Sequence, residues 1–68
     1  PTPEDAETAA RHLAALPQKQ REVIVLKIFQ DLTFDEIARS LAISLNTAAS
    51  RYRYGIEKLK HRMTGGPT

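Results

Sequence analysis

The tightest local constraint in the chain is the tetrapeptide Thr33-Phe34-Asp35-Glu36, with a second capping residue, Ser44, eleven positions after Thr33. In a capping box the threonine hydroxyl accepts from the amide of the glutamate three residues on. The glutamate carboxylate reaches back to the threonine amide, so the helix start is fixed from both sides. From Thr33 onward, Phe34, Ile37, Ala38 and Leu41 form an apolar face only about two turns long. Ser44 then caps a further helix, which leaves Ala42-Ile43-Ser44 as the whole connection. Two helices joined so tightly must cross steeply, and small side chains such as Ala38 and Ala42 let them approach: the helix-turn-helix arrangement. A plain corner between two helices has the same spacing, so the joint constrains architecture before it says anything of function.

Two more helices are predicted upstream. Thr2-Pro3-Glu4-Asp5 is a helix opening, with Thr2 as N-cap, Pro3 at the first helical position and acids where they complement the dipole. Ala6, Ala9, Ala10, Leu13 and Leu16 recur at helical spacing, so this helix covers about residues 3–15 with one stripe toward a core. Leu16-Pro17 breaks the chain, and Pro17 suits the first position of a second helix over about 17–30. A buried strand over Val23–Phe29 is the competitor. Val23, Leu26 and Ile28 or Phe29 keep a helical face, Arg21, Glu22 and Lys27 interrupt any alternation, and no hairpin partner exists, so this helix is expected to be central and largely buried. With 33–41 as the third helix, the fourth spans about 44–62 and carries an inward stripe of Leu45, Ala48, Tyr52, Ile56 (or Gly55), Leu59 and Met63. The expectation is an all-α domain over 1–63, four helices ending in a helix-turn-helix of the winged-helix-like DNA-binding type but with no wing. A flexible tail is expected over 64–68.

Composition excludes most other classes. Sixty-eight residues without cysteine have neither disulfides nor a thiolate metal site to substitute for a core. Of 28 apolar residues nine are alanine, which suits a compact bundle with no ligand cavity. No apolar run approaches the roughly 20 residues that span a bilayer and no leader opens the chain, so a soluble, cytoplasmic domain with no membrane partner is expected. Pro1 in place of a starting methionine and the Thr64-Gly65-Gly66-Pro67-Thr68 end fit a piece of a longer protein. Asp35 and Glu36 are explained by the helix start, Ser44 and Ser50 have no histidine at helical spacing, and no glycine-rich phosphate loop follows a strand. Neither an enzyme nor a bound cofactor is expected. His12 and His61 lie on different helices without a ligand cluster, so no metal site is expected either. With no heptad seam or spare apolar patch, the fragment should be monomeric.

Charge points to the C-terminal third. Residues 1–43 carry five basic and seven acidic side chains, whereas 44–68 carry Arg51, Arg53, Lys58, Lys60 and Arg62 against Glu57 alone. With the inward stripe of the last helix set aside, its outer surface presents Asn46, Thr47, Ala49, Ser50, Arg53 and Tyr54, with Arg51 at the edge and no acid before Glu57. Amide, hydroxyl, guanidinium and phenol groups on a helix whose N-terminus is partially positive suit a major groove, where base edges and phosphates lie. Asn46 and Thr47 also fit a plainer role as polar residues beside the cap. Tyr52 is expected to be a core aromatic with its hydroxyl at the rim.

Three blocks now stand in order: Leu16-Pro-Gln-Lys-Gln-Arg-Glu-Val-Ile-Val-Leu-Lys, Leu32-Thr-Phe-Asp-Glu-Ile-Ala-Arg-Ser-Leu and Asn46-Thr-Ala-Ala-Ser-Arg-Tyr-Arg. Together, over about residues 16–62, they resemble region 4 of bacterial sigma-70-type factors, especially the extracytoplasmic-function group. The resemblance implies a domain that docks on the -35 element of duplex promoter DNA while core RNA polymerase is bound elsewhere in the same chain. It implies base reading at Asn46, Thr47, Ala49, Ser50, Arg53 and Tyr54 and a phosphate contact at Lys27, with Arg39 and Arg51 as further phosphate candidates. Members of the family usually carry a basic residue at Ala49, valine at Ala48, arginine at Tyr54, and glycine at Asp31 and Ala42. The usual promoter sequence is therefore not transferred. Gly55 within a helix costs about 1 kcal/mol relative to alanine, and close packing against the second or third helix is its expected compensation. Two alternatives remain: an output domain like those of LuxR-type response regulators, and a protein-contact bundle held by the polymerase flap or by an anti-sigma factor that covers the last helix.

Overall fold

The computed structural model describes residues 3–64. The Thr2 cap, the Ala6 side chain and the tail after Thr64 lie outside the described residues. Among those described, all regular structure is helical: α1 (Pro3–Ala14), α2 (Gln18–Ile24) running directly into a π-helical turn (Val25–Phe29), α3 (Phe34–Leu41) and α4 (Leu45–Met63). This is the four-helix, wingless arrangement expected, with α3 and α4 as the helix-turn-helix.

The ends of the helices are set by local chemistry. Pro17 is the residue before α2, with φ −54° and ψ 143°, rather than the first helical residue. Its carbonyl accepts from Gln20 and Arg21 at 3.1 and 2.9 Å. Arg21 then turns its guanidinium back, donating to the carbonyls of Ala14 (3.0 Å) and Leu16 (3.2 Å). Carbonyls left without helical partners at the end of α1 are thereby satisfied by a cation, the favourable charge at that end of the dipole. At α3 the capping box is present: Glu36 N donates to Thr33 Oγ1 at 3.1 Å and Thr33 N donates to Glu36 Oε1 at 2.8 Å. The Thr33 amide that donates to it, and next the Thr33 hydroxyl beside it, hold the Glu36 carboxyl below the usual glutamate range, helped by the charges of Arg39 and Lys27.

Ala42 ends α3 in the left-handed region, φ 57° and ψ 44°. This geometry lets Ile43 N donate to Ala38 O at 2.9 Å, the closure that turns the chain sharply out of a helix. Among the described residues the other positive-φ position that is not glycine is Asp31, φ 55°, at the equivalent exit from the π turn. Both are positions where the sequence departs from a glycine usual in the family it resembles. A left-handed backbone carries about 1–2 kcal/mol of steric cost for a residue with a Cβ, which is why glycine is the common occupant.

The core gathers where α2, α3 and α4 meet. Val23, Ile37, Ala38 and Ala48 are buried together, with Leu26, Leu32, Phe34, Leu41, Ile43 and Tyr52 packed around them. Phe34 and Tyr52 meet edge to face, ring centroids 5.4 Å apart, so Tyr52 lies against the core as expected. Leu16 and Ile24 are buried too. Gly55 is the crossing point of α2 and α4: a Cβ there would lie 2.7 Å from Ile24 Cδ1 and 3.2 Å from Gln20 Cβ. Close packing against the second helix is thus what offsets glycine's poor helix propensity.

Three expectations need correction. The second helix is not largely buried to its end, because Ile28 and Phe29 are 51% and 68% exposed. Gln30 N donates to Val25 O, and Leu32 N to Leu26 O. This wider turn moves later residues off the α-helical register, so a stripe counted at 3.6 residues loses the buried face there. Leu45 and Met63, at the first and last positions of α4, are 54% and 48% exposed rather than inward. Finally, the molecule has both an apolar patch and a cavity: an open groove of about 660 Å³ between α1, α2 and the last turns of α4, lined by Leu13, Ile24, Ile28, Phe29, Leu59 and Met63 among others.

Two stability measurements test these assignments. Ala42→Gly relieves the left-handed alanine and is expected to raise unfolding free energy in urea by about 0.5–1 kcal/mol, the steric gain exceeding glycine's added chain entropy. Because the Glu36 pKa is depressed on folding, its contribution is present above the ordinary carboxylate range and is lost as pH falls through the folded value. The melting temperature followed by circular dichroism should therefore fall less for Glu36→Gln than for the unaltered chain between about pH 6 and about pH 3.

Candidate nucleic-acid interface

The site is the N-terminal half of α4, and its position follows from Ser44. Thr47 N donates to Ser44 Oγ at 3.0 Å, and the Ser44 hydroxyl donates to Thr47 Oγ1 at 2.8 Å. The N-cap is therefore filled by Ser44. Thr47 is half-buried, its oxygen used as an acceptor while its own O–H remains able to donate outward. With Ala48 and Gly55 buried and Tyr52 and Leu59 half-buried, the inward line of α4 is Ala48, Tyr52, Gly55 and Leu59.

Opposite that line stand the expected contact residues, to different degrees. Asn46 and Arg53 are exposed and Tyr54 is 52% exposed, whereas Ala49, Ser50 and Arg51 are half-buried. Positions 46, 50, 53 and 54 share one face by helical spacing, so amide, hydroxyl, guanidinium and phenol converge on one side of α4. Arg51 and Thr47 fall on the flank toward Tyr54. Leu45 and Ala49 form the opposite flank, one turn apart. The Arg53 guanidinium carbon lies 5.2 Å from the Tyr54 ring centroid, so the two side chains brace each other and lose less freedom on meeting a ligand.

The outlying cations lie on the elements beside α4. Lys27, on the π turn, is half-buried, its ammonium 4.7 Å from the Phe34 ring centroid. The ring fixes the direction of the stem. Arg39, on α3, is exposed and paired with Asp35 at 3.1 Å, both side chains well in solvent. An exposed pair of this kind is worth about 0.3–0.5 kcal/mol, so it yields readily to a stronger anion such as phosphate. The first turn of α4 holds no acid, which leaves the positive end of its dipole uncompensated by its own side chains.

Sequence reasoning missed Leu45 as a surface residue of this face. Its spacing from Ala48 and Tyr52 matched the stripe, but the Ser44 cap places it in the first turn, where α4 projects past its neighbours. The groove was missed because the π turn left no signal that hydrophobic periodicity registers. Among the described residues no group of three or more histidine or acidic side chains could hold a metal ion, and no helix is long and apolar enough to cross a membrane.

Comparison with known proteins bears on the same residues. The family model for sigma-70, region 4 matches residues 12–61, which include α3 and all but the last two residues of α4. The ECF RNA polymerase sigma factor RpoE of Cereibacter sphaeroides is 37% identical over 54 residues. That alignment takes in 79% of this chain but 30% of the relative, so the chain spans under a third of that protein's length. No solved structure matches. With most of its length matched, the chain belongs to the sigma-70, region 4 family.

Proposed function

We propose that this chain is the promoter-reading module of a sigma factor, which lays the first half of α4 into the major groove of the -35 element during transcription initiation. The observation that carries this reading is the outward set of α4: the corner at Ala42 leaves Asn46, Arg53 and Tyr54 in solvent on one face, with no acid on α4 before Glu57. An α-helix fits the groove's width, and these side chains are the types that meet base edges there. Lys27, Arg39 and Arg51 flank the helix as phosphate anchors, which fix register without carrying sequence information. The module works in the cytoplasm, where its duplex lies.

A second surface supports the partner. Ile28, Phe29, Leu59 and Met63 border an apolar groove at the other end of α4, away from its first turns. Exposed apolar surface of this kind marks a protein-binding site, and in this reading its occupant is the flap of core RNA polymerase. The groove and the reading half of α4 are separate, so polymerase and promoter are held at once. An anti-sigma factor would act by covering α4 itself, in simple competition with DNA.

Binding to a selected promoter duplex should weaken steeply with salt, the log–log slope falling by about 0.9 for each phosphate engaged. Lys27→Ala should flatten that slope by about 1 and weaken all duplexes alike. Arg53→Ala should cost roughly 1–3 kcal/mol on the preferred duplex and relax preference at one position; equal loss on every sequence would make Arg53 a phosphate anchor instead. Phe29→Asp, at an exposed position, should leave folding and duplex binding unchanged while reducing pull-down of core polymerase. Retained polymerase binding would remove the groove from the assignment.

A further inference from the structure

The proposed reading face has a chemical asymmetry that bears on which bases it prefers. On one flank of α4, Leu45 is 54% exposed and Ala49, one turn later, is half-buried, with the Asn46 amide beside them in solvent. Side chains on a helix lean toward its N-terminus, so Leu45 extends past the start of α4, at the end of the helix that leads into a groove. In the first two turns the one cation is Arg51, half-buried on the opposite flank. A guanine edge asks for a guanidinium or ammonium facing its O6 and N7, and no such group stands on the Leu45–Ala49 side until Arg53. A thymine edge instead presents a 5-methyl group, which asks for apolar contact, and its paired adenine offers N6 and N7 to an amide such as Asn46.

We propose that Leu45, with Ala49 behind it, reads thymine methyl groups in the major groove, so that the element this chain prefers holds A·T pairs beneath the first two turns of α4. The inference rests on the promoter-reading assignment above and deepens it by naming the base class. A single exposed leucine is ordinary on a protein surface. What sets Leu45 apart is that its contacts fall on the docking helix, beside an exposed amide and an alanine of the same edge. Leu45 is then a specificity residue rather than a source of bulk affinity, and its cost in solvent is recovered only against a methylated pyrimidine.

The test uses this 68-residue chain and duplexes enriched by it from a randomised pool, followed by fluorescence anisotropy. Each thymine of an enriched duplex is replaced in turn by deoxyuridine, which removes the 5-methyl and leaves every hydrogen-bonding group in place. At one or two positions the replacement should weaken binding about fourfold, the effect of one buried methyl. Leu45→Ala should abolish that thymine-over-uridine difference while binding the uridine duplex as the unaltered chain does; its far-ultraviolet circular dichroism should be unchanged because the side chain is exposed. Placing 5-methylcytosine for cytosine at the same step should restore part of the lost affinity. Equal binding of thymine and uridine duplexes, or a difference that survives in Leu45→Ala, would overturn the methyl-reading assignment while leaving promoter reading intact. A pool that shows no enrichment at all would overturn promoter reading by this chain, and the inference with it.

Discussion

The left-handed turn at Ala42 is the constraint on which the rest depends. Three residues connect α3 to α4, and they suffice because Ala42 takes φ 57° and Ile43 N closes on Ala38 O. That closure buries Ala38 against Ala48, two side chains small enough for the helices to approach at the corner. Were the chain to leave α3 in an ordinary extended geometry, Ser44 would not meet the position from which it caps α4. The outward face of α4 would then point elsewhere. The steric cost at Ala42 is thus stored where function needs a fixed angle, and the core around Val23 and Ile37 holds it in place.

Much of this was legible in the sequence because it rests on short-range chemistry. Thr33-x-x-Glu36 and Ser44 determine two helix starts through side-chain oxygens that find amides three residues on, an interaction that needs no tertiary context. The crossing of α2 over α4 was legible at Gly55 for a related reason: a glycine in a helix implies a neighbour too close for a Cβ, and Ile24 is that neighbour. What failed was periodicity taken as proof of burial. Steps of three from Val23 through Leu26 to Phe29 already drift about 60° each at a period of 3.6, and the backbone between Val25 and Phe29 does not keep even that period. Leu45 failed differently, since its angle on the wheel was nearly right and there was simply no helix opposite it. The register of a side chain and the reach of its neighbours are separate facts, and only the first is written locally.

The misread residues lie on the two surfaces proposed as functional. Ile28 and Phe29 border the groove, and Leu45 leads the reading helix. This coincidence has a physical basis. A small domain without disulfides gains stability from every apolar side chain it can bury, so those it leaves in solvent at the ends of its elements are not contributing to its own core. Local rules and the final structure disagree where a surface is kept for another molecule.

Placing both surfaces on one long helix has a mechanical consequence. α4 runs for 19 residues, its first half carrying Asn46, Arg53 and Tyr54 in solvent and its last turns, with Leu59 and Met63, closing one side of the groove. Gly55 lies between them, clamped on Ile24, so the helix is gripped near its middle as well as through Ala48 and Tyr52 in its first half. A partner seated in the groove packs against the same rigid rod that enters the duplex. Orientation set at one end is then transmitted to the other without any conformational change, because a continuous α-helix has no hinge within it. Under the proposed function polymerase and promoter need no switch to couple them: the angle at Ala42 and the grip at Gly55 align the two surfaces before either partner arrives.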